Sequence, residues 1–331
     1  MKQRISSGQR YGPLLVFMGA ALWSTNAPFF KILQVDSYLA IFIRAAIAGL
    51  ILLPTLRPRR IKWDRYLLLM LVSYVALCVG IVLAIRSTSA NIATGMQYTA
   101  PIWIFLLSWR QGKTVFSLRK NWPLLVLLCG LIVSMCSGSS AVSLEGNLIA
   151  LSTSFFFTAM TLSSKKATAD NPLGMVSLSN LFCAVVVLLF FVDRPVLSEI
   201  SAITPVEWAI LVFLGIFQIA AGYALYYIGL RTTEPAQASM IAPCEMVLGP
   251  LWVAIFVREY PDWIGVCGSL LIIAGVIGEV VVSQRTAPPA SALAQQDGSA
   301  GLEEPASSLP QDAAQAKSAQ QEGSLPSRLS P

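Results

Sequence analysis

The apolar residues of this chain come in blocks. Blocks of roughly 18 to 22 residues with few charges recur along most of its length, and a helix of that size spans the hydrocarbon core of a bilayer. Near-continuous apolarity favours helices over barrel strands, which would alternate. Ten spans are predicted: 13–33, 37–56, 66–85, 88–109, 122–139, 146–164, 174–192, 207–229, 234–257 and 262–283. Charged residues make up 12% of the chain, about half of what a soluble domain carries. The expected fold is therefore an all-α polytopic membrane protein with ten transmembrane helices.

The basic residues set the expected orientation. Sixteen Lys and Arg fall before span 1, after span 10 or in the loops that share their side; four fall in the opposite loops. Cytoplasmic loops carry the excess of Lys and Arg, so both termini are expected in the cytoplasm of a cell (plasma or inner) membrane protein. The net charge of +6 is thus a matter of orientation and does not point to nucleic acid. Span 1 has a basic flank like that of a signal peptide, but its length, with Trp23, Asn26 and Pro28 inside it, favours a retained helix. Residues 285–331 are rich in Ala, Pro, Ser and Gln and are expected to form a disordered cytoplasmic tail.

The chain also repeats itself. Shifted by about 145 residues, Arg86 meets Arg231, Ala93 meets Ala238 and Gly130 meets Gly275. Nearer the N-terminus the shift is about 134, and Gly12 meets Gly146 while Trp23 meets Phe157. Spans 1–5 thus match spans 6–10. Five is odd, so the second copy must enter the membrane from the other side. Two inverted five-helix repeats are expected, residues 1–143 and 144–284, followed by the tail 285–331. Inverted repeats are a transporter device, because two similar halves can exchange outward-open and inward-open shapes around a midplane site.

On "GAALWSTNAPFFK" (19–31), "IFIRAAIAG" (41–49), "AQASMIAPCEMVLGPLWVAIFVRE" (236–259) and "WIGVCGSLLIIAGVIG" (263–278), the chain resembles the drug/metabolite transporter superfamily, EamA type. The resemblance covers roughly residues 12–283. It implies ten spans in two inverted repeats and movement of amino acids, metabolites or drugs, often outward. One departure bears on the site. The family often shows Glu-Pro in span 9, whereas this chain has Glu245-Met246 with the proline at Pro243, and the first-half counterpart of Glu245 is Ala100 beside Pro101.

Glu245 is the one acid placed near the middle of a span; Glu279 sits near an end. An intramembrane carboxylate is a functional candidate by default. It could carry a proton, pair with a cationic or amino group of a solute, or serve as a structural carboxyl hydrogen-bonded between helices. Pro101, Pro243 and Pro250 are candidate helix breaks that free backbone carbonyls toward a cavity; a packing kink is the plainer reading. Helical spacing puts Gly19, Trp23, Asn26 and Phe30 on one face, and Thr94, Gln97 and Pro101 on another with Tyr98 adjoining. It likewise groups Gln218, Gly222 and Tyr226, and Ala238, Ala242, Glu245 and Gly249. The candidate solute-binding set is Trp23, Asn26, Gln97, Tyr98, Phe157, Gln218, Tyr226 and Glu245, with Phe157 and Met160 as an apolar wall. Each of these, singly, would also serve interhelical packing or hydrogen bonding. Arg44, about two turns into span 2, is expected to snorkel outward or to form a structural pair, with a solute carboxylate as the alternative.

Several classes of function recede. The chain has no histidine, which removes His-based metal sites, catalytic triads and proton relays. Nothing resembles a nucleotide-binding G-x-x-x-x-G-K-[ST] motif. The six cysteines lie in apolar blocks and suggest no disulfide framework. An enzyme is not expected. The reading is a secondary-active transporter of a small organic solute (amino acid, metabolite or drug-like compound), an exporter working by alternating access, with Glu245 as the coupling group if protons are coupled. The alternative is a non-transporting membrane sensor or adaptor. The expected partners are the solute, the lipid bilayer, protons where coupling exists and a second copy if the chain works as a homodimer. No cofactor and no metal are expected.

Overall fold

The computed structural model describes residues 8–112, 114–115, 117–137, 143–192, 196–258 and 260–286. The described fold belongs to the unit Met1–Arg285. Of the expected disordered tail 285–331, residues 285 and 286 belong to the last helix and the rest lies outside the described residues. Every regular element among the described residues is helical. In chain order they are α1 (Gly8–Trp23), α2 (Asn26–Ile32), α3 (Ser37–Leu52), α4 (Arg65–Ser87), α5 (Ala90–Gln97), α6 (Ala100–Arg110), α7 (Leu118–Met135), α8 (Leu144–Ala167), α9 (Pro172–Phe190), α10 (Val196–Ala202), α11 (Pro205–Phe213), a π-helical segment (Leu214–Ala221), α12 (Gly222–Leu230), α13 (Pro235–Ile241), α14 (Cys244–Phe256) and α15 (Trp263–Thr286). Single 3-10 turns occupy Leu53–Thr55 and Pro58–Arg60.

Short polar residues start these helices by accepting orphan amide protons. Asp36 accepts from the Tyr38 and Leu39 amides, Asp64 from those of Tyr66 and Leu67, and Asn171 from that of Gly174. At α11 the cap is reciprocal: Thr204 accepts from the Glu207 amide and the Glu207 carboxylate accepts from that of Thr204. Prolines open α9, α11 and α13, where the missing amide costs nothing.

Among the described residues each predicted block is mostly helical, but seven helical stretches are long and apolar enough to cross a membrane: 37–55, 65–87, 118–135, 172–190, 205–230, 235–256 and 263–283. The other three differ for two reasons. The first block is split into α1 and α2, and the fourth into α5 and α6. The sixth, α8, is rich in hydroxyls. Several are satisfied within the helix, as where Thr153 donates to the Ala150 carbonyl at 2.6 Å and Ser154 to that of Leu151 at 2.6 Å. Leu68, Val72, Leu189, Leu251 and Ile255 are about half exposed or more, an apolar outer surface of the kind that lipid covers.

Packing follows the repeat. α1 lies on α12 and α8 lies on α4. Exchanging the two halves turns the first pair into the second. The α3–α9 pair maps onto itself, α5 on α8 corresponds to α13 on α1, and α6 on α8 to α14 on α1. Glycines permit the closest approaches. A Cβ on Gly19 would lie 2.8 Å from the Gly222 carbonyl oxygen, and one on Gly229 would lie 2.8 Å from that of Gly12. At the α7–α15 crossing, a Cβ on Gly130 would meet the Ile272 nitrogen at 2.7 Å, and one on Gly275 the Leu127 nitrogen at 2.8 Å. Gly130 and Gly275 are the pair matched by the 145-residue shift, so the repeat seen in sequence is also a repeat of contacts.

Candidate functional site

Three helix breaks and the π segment lie around one cavity. α1 gives way to α2 at Ser24–Thr25, α5 to α6 at Tyr98–Thr99 and α13 to α14 at Ala242–Pro243. The breaks keep backbone angles near the helical region, so each is a tight turn and not a reversal: Thr25 has φ −64°, Thr99 φ −74° and Pro243 φ −58°. Hydroxyls take up some of the freed carbonyls, as Thr25 does with Leu22 at 2.7 Å and Thr99 with Met96 at 2.7 Å. The 145-residue shift carries Tyr98–Thr99 onto Pro243–Cys244, so the second and third breaks are counterparts.

The cavity holds about 610 Å³, within the range of small-molecule sites. Of the predicted binding set, Trp23, Asn26, Gln97, Tyr98, Phe157, Gln218 and Glu245 line it. Glu245 stands in the first turn of α14, where the helix dipole favours a negative charge. Its carboxylate accepts a hydrogen bond from the Tyr98 hydroxyl, joining the two related breaks. Trp23 is 4% exposed and packs against Tyr223 at 4.7 Å, Tyr226 at 4.9 Å and Phe157 at 6.5 Å between ring centroids. Tyr98 meets Phe157 at 5.8 Å and Tyr74 meets Tyr223 at 5.0 Å. Five rings (Tyr98, Phe157, Trp23, Tyr223 and Tyr74) therefore form one continuous wall.

Three expectations are corrected here. Tyr226 does not line the cavity. It packs behind Trp23 and shares a hydrogen bond of 2.9 Å with Thr161, and Tyr223 takes its place on the wall. Periodicity groups residues on a helix face but does not say which neighbour each meets, and Tyr226 is turned toward Thr161 of α8. Pro250 is not a helix break, because α14 runs through it to Phe256. It takes away one amide donor in a helix whose other bonds and packing remain, and it lines the cavity. Pro101 and Pro243 do sit at breaks, in the first turn of α6 and at the N-cap of α14, but neither lines the cavity.

Arg44 is the third correction. It does not snorkel. Its side chain is 6% exposed and turned inward, with Nε donating to the Ala40 carbonyl at 3.2 Å and Nη1 to Asn26 Oδ1 at 2.8 Å and Gln218 Oε1 at 3.1 Å. Asn26 and Gln218 offer it acceptors inside the fold, which is the structural pairing that stood beside snorkelling among the expectations. The guanidinium thus ties α3 to the first break and to the π segment, on the same cavity that Glu245 lines. Sequence reasoning also missed Tyr74 and Asn180, whose side chains are joined by a 2.8 Å hydrogen bond on the wall. Their signal was present: each is a polar group in the middle of an apolar block.

Asp36, which precedes the spanning stretch 37–55, forms a 2.9 Å ion pair with Arg86 in the last turn of α4. Burial works against the Asp36 charge, but the Leu39 and Tyr38 amides and Arg86 outweigh it and hold the carboxyl below its usual range. Among the described residues no group of three or more His, Cys, Asp or Glu side chains could hold a metal ion.

The comparisons with known proteins bear on this geometry. No curated protein matches the chain. Among solved structures 27 chains match. One of them, titled only "Crystal structure of protein", aligns with a TM-score of 0.69 at 18% identity over 84% of this chain and 99% of its own length, which shows a shared fold. The profile of the EamA-like transporter family matches twice, at residues 10–136 and 144–280, one match on each repeat. The resemblance read from the sequence is borne out: the chain belongs to the EamA-like transporter family, a multi-pass membrane transporter of a small-molecule substrate.

Proposed function

We propose that the chain is a secondary-active exporter whose solute carries an amino group and a carboxylate on an apolar body. The carrying observation is that Glu245 and Arg44 line one cavity of about 610 Å³ with the aromatic wall beside them. A carboxylate favours a cation, a guanidinium favours a carboxylate through paired donors, and the rings take the body. Ten spans as two inverted repeats, residues 1–143 and 144–284, would rock about this cavity to give alternating access. The matched helix breaks and the exchange of contacts between halves support that motion. The excess of Lys and Arg in one set of loops supports cytoplasmic termini in the cell membrane. Glu245, bonded to Tyr98 across the two related breaks, is the group that would couple solute to protons. The sensor or adaptor reading rested on residues 285–331, and nothing among the described residues favours it.

The test is flux into and out of liposomes that hold the full chain and an internal pH dye. Amino acids, amines lacking a carboxylate and drug-like cations would be screened beside Glu245→Gln and Arg44→Lys. Solutes with both groups should move fastest, Glu245→Gln should abolish solute-driven proton movement, and Arg44→Lys should narrow the preference for carboxylate-bearing solutes. Unchanged proton movement in Glu245→Gln would sink the coupling role. Equal flux of amines with and without a carboxylate would sink the paired-charge account of the solute.

A further inference from the structure

The cavity wall carries a feature that transport does not require. Cys78 of α4 and Cys183 of α9 both line the cavity, each one helical turn beyond the 2.8 Å Tyr74–Asn180 hydrogen bond that joins the same two helices. The two helices pack directly on each other. Cys78 belongs to the first family-matched segment and Cys183 to the second. The pair is therefore a contact between the two halves of the molecule. Cys183 has no exposed surface and Cys78 is partly exposed, so of the two Cys78 is the thiol that a reagent in the cavity meets first. Cys129, Cys136 and Cys267, by contrast, are exposed on the outer surface of the fold.

We propose that Cys78 and Cys183 form a cavity-facing dithiol site for small hydroperoxides, which close it into a disulfide that staples one half of the molecule to the other. One thiol sulfur attacks the O–O bond and leaves as a sulfenic acid, releasing water or an alcohol. The second thiol then attacks that sulfur, the S–S bond forms and a second water departs. In balance, two thiols and one hydroperoxide give one disulfide, one water and one water or alcohol, with two electrons passing from sulfur to the peroxide oxygens. A reagent must be small to use this route, because the thiols are reached through the solute cavity.

The consequence for activity rests on the transport reading: a covalent tie across the halves would hold the rocking motion in one state until a thiol reductant reopened it. The chemistry itself does not rest on that reading. The full chain, reduced and reconstituted, would be treated with hydrogen peroxide, quenched with iodoacetamide, digested and mapped by mass spectrometry. The expected result is loss of two of its six alkylatable thiols, recovery of a Cys78–Cys183 linked peptide, and its disappearance with dithiothreitol. Cys78→Ser and Cys183→Ser should each abolish the link while leaving the other thiols as reactive as before. The proposal is overturned if the exposed cysteines oxidise while Cys78 and Cys183 stay alkylatable, or if either goes to sulfinic acid with no linked peptide. Linkage with unaltered solute flux would keep the site and remove the regulatory consequence.

Discussion

Gly222→Ala tests the packing that shapes the cavity. Gly222 opens α12 with φ −59° and ψ −53°, so alanine meets no backbone strain there. The difficulty is space. A Cβ at this position would lie 2.8 Å from both Cδ1 and Nε1 of Trp23, where ordinary contact begins near 3.4 Å. The indole must give way by about 0.6 Å or more, and it is hemmed in by Tyr223, Tyr226 and Phe157. Overpacking of this kind costs about 1–3 kcal/mol. Replacing glycine in a helix returns about 1 kcal/mol of propensity, so a control with the same gain and no clash is needed. Gly249→Ala provides it: Gly249 also lies in a helix on the cavity, and a Cβ there meets only Ala27 Cβ at 3.4 Å and the Ser24 oxygen at 4.0 Å. The difference between the two variants should therefore be the clash alone, about 1–3 kcal/mol. For a chain of this size that is roughly 2–6 °C in unfolding midpoint. The assay is thermal unfolding of both variants in the same detergent or nanodisc. Equal midpoints, or a Gly222→Ala midpoint above that of Gly249→Ala, would show that Trp23 is not fixed as described.

Gly130→Ala should be worse than Gly222→Ala, because its Cβ would strike backbone, the Ile272 nitrogen at 2.7 Å and the Gly268 oxygen at 2.9 Å. A loss at or beyond the ~3 kcal/mol top of the overpacking range is expected, seen as loss of monodisperse protein on gel filtration; a wild-type profile would refute it. Tyr74→Phe removes the donor to Asn180 Oδ1 and should cost about 1–3 kcal/mol in equilibrium unfolding. Adding Asn180→Leu should recover part of that, and a double variant as costly as the sum of both singles would count against the bond. Asp36 is held below the usual carboxylate range, so its contribution is complete above that range and is lost as pH falls through the lower, folded value. Protection of the Tyr38 and Leu39 amides, taken against their intrinsic exchange rate at each pH, should therefore fall in acid in the wild type. In Asp36→Asn, which keeps a capping oxygen but loses the Arg86 pair, it should vary little with pH; an equal acid response in both proteins would exclude Asp36 as its source.

Much of the fold could be read from one line of text because the bilayer makes a simple demand. A block such as 66–85 must be helical, since no other spanning structure satisfies its own backbone except a closed barrel. The repeat was legible for a similar reason: Gly130 and Gly275 do the same work at one crossing, and no larger residue fits either place. The cavity was partly legible. Asn26, Gln97, Gln218 and Glu245 are polar groups in apolar surroundings, and they converge. What failed was phase and direction. Counting at 3.6 residues per turn put Tyr226 with Gln218, yet Tyr223 is the tyrosine that meets the solute space. The direction of Arg44 was not legible because its acceptors, Asn26 and Gln218, stand on other elements that only packing brings to it. Cys78 and Cys183 could not be paired, since 105 residues separate them and the packing of α4 on α9 brings them together.

The partnership of α1 with α12 has a consequence for synthesis. α1 is finished when Trp23 is made, but the surface it packs on is completed only at Leu230. Chains grow at about 5–20 residues per second, so the ribosome runs for roughly 10–40 s between the two. Through that interval Gly12, Gly19 and the polar turn at Ser24–Thr25 face lipid or provisional neighbours. α4 waits less, because α8 follows it within the next stretch of chain. The earliest helix is thus the last of these to be buried, and slowing translation before residue 230 should lengthen the window in which membrane proteases can recognise it.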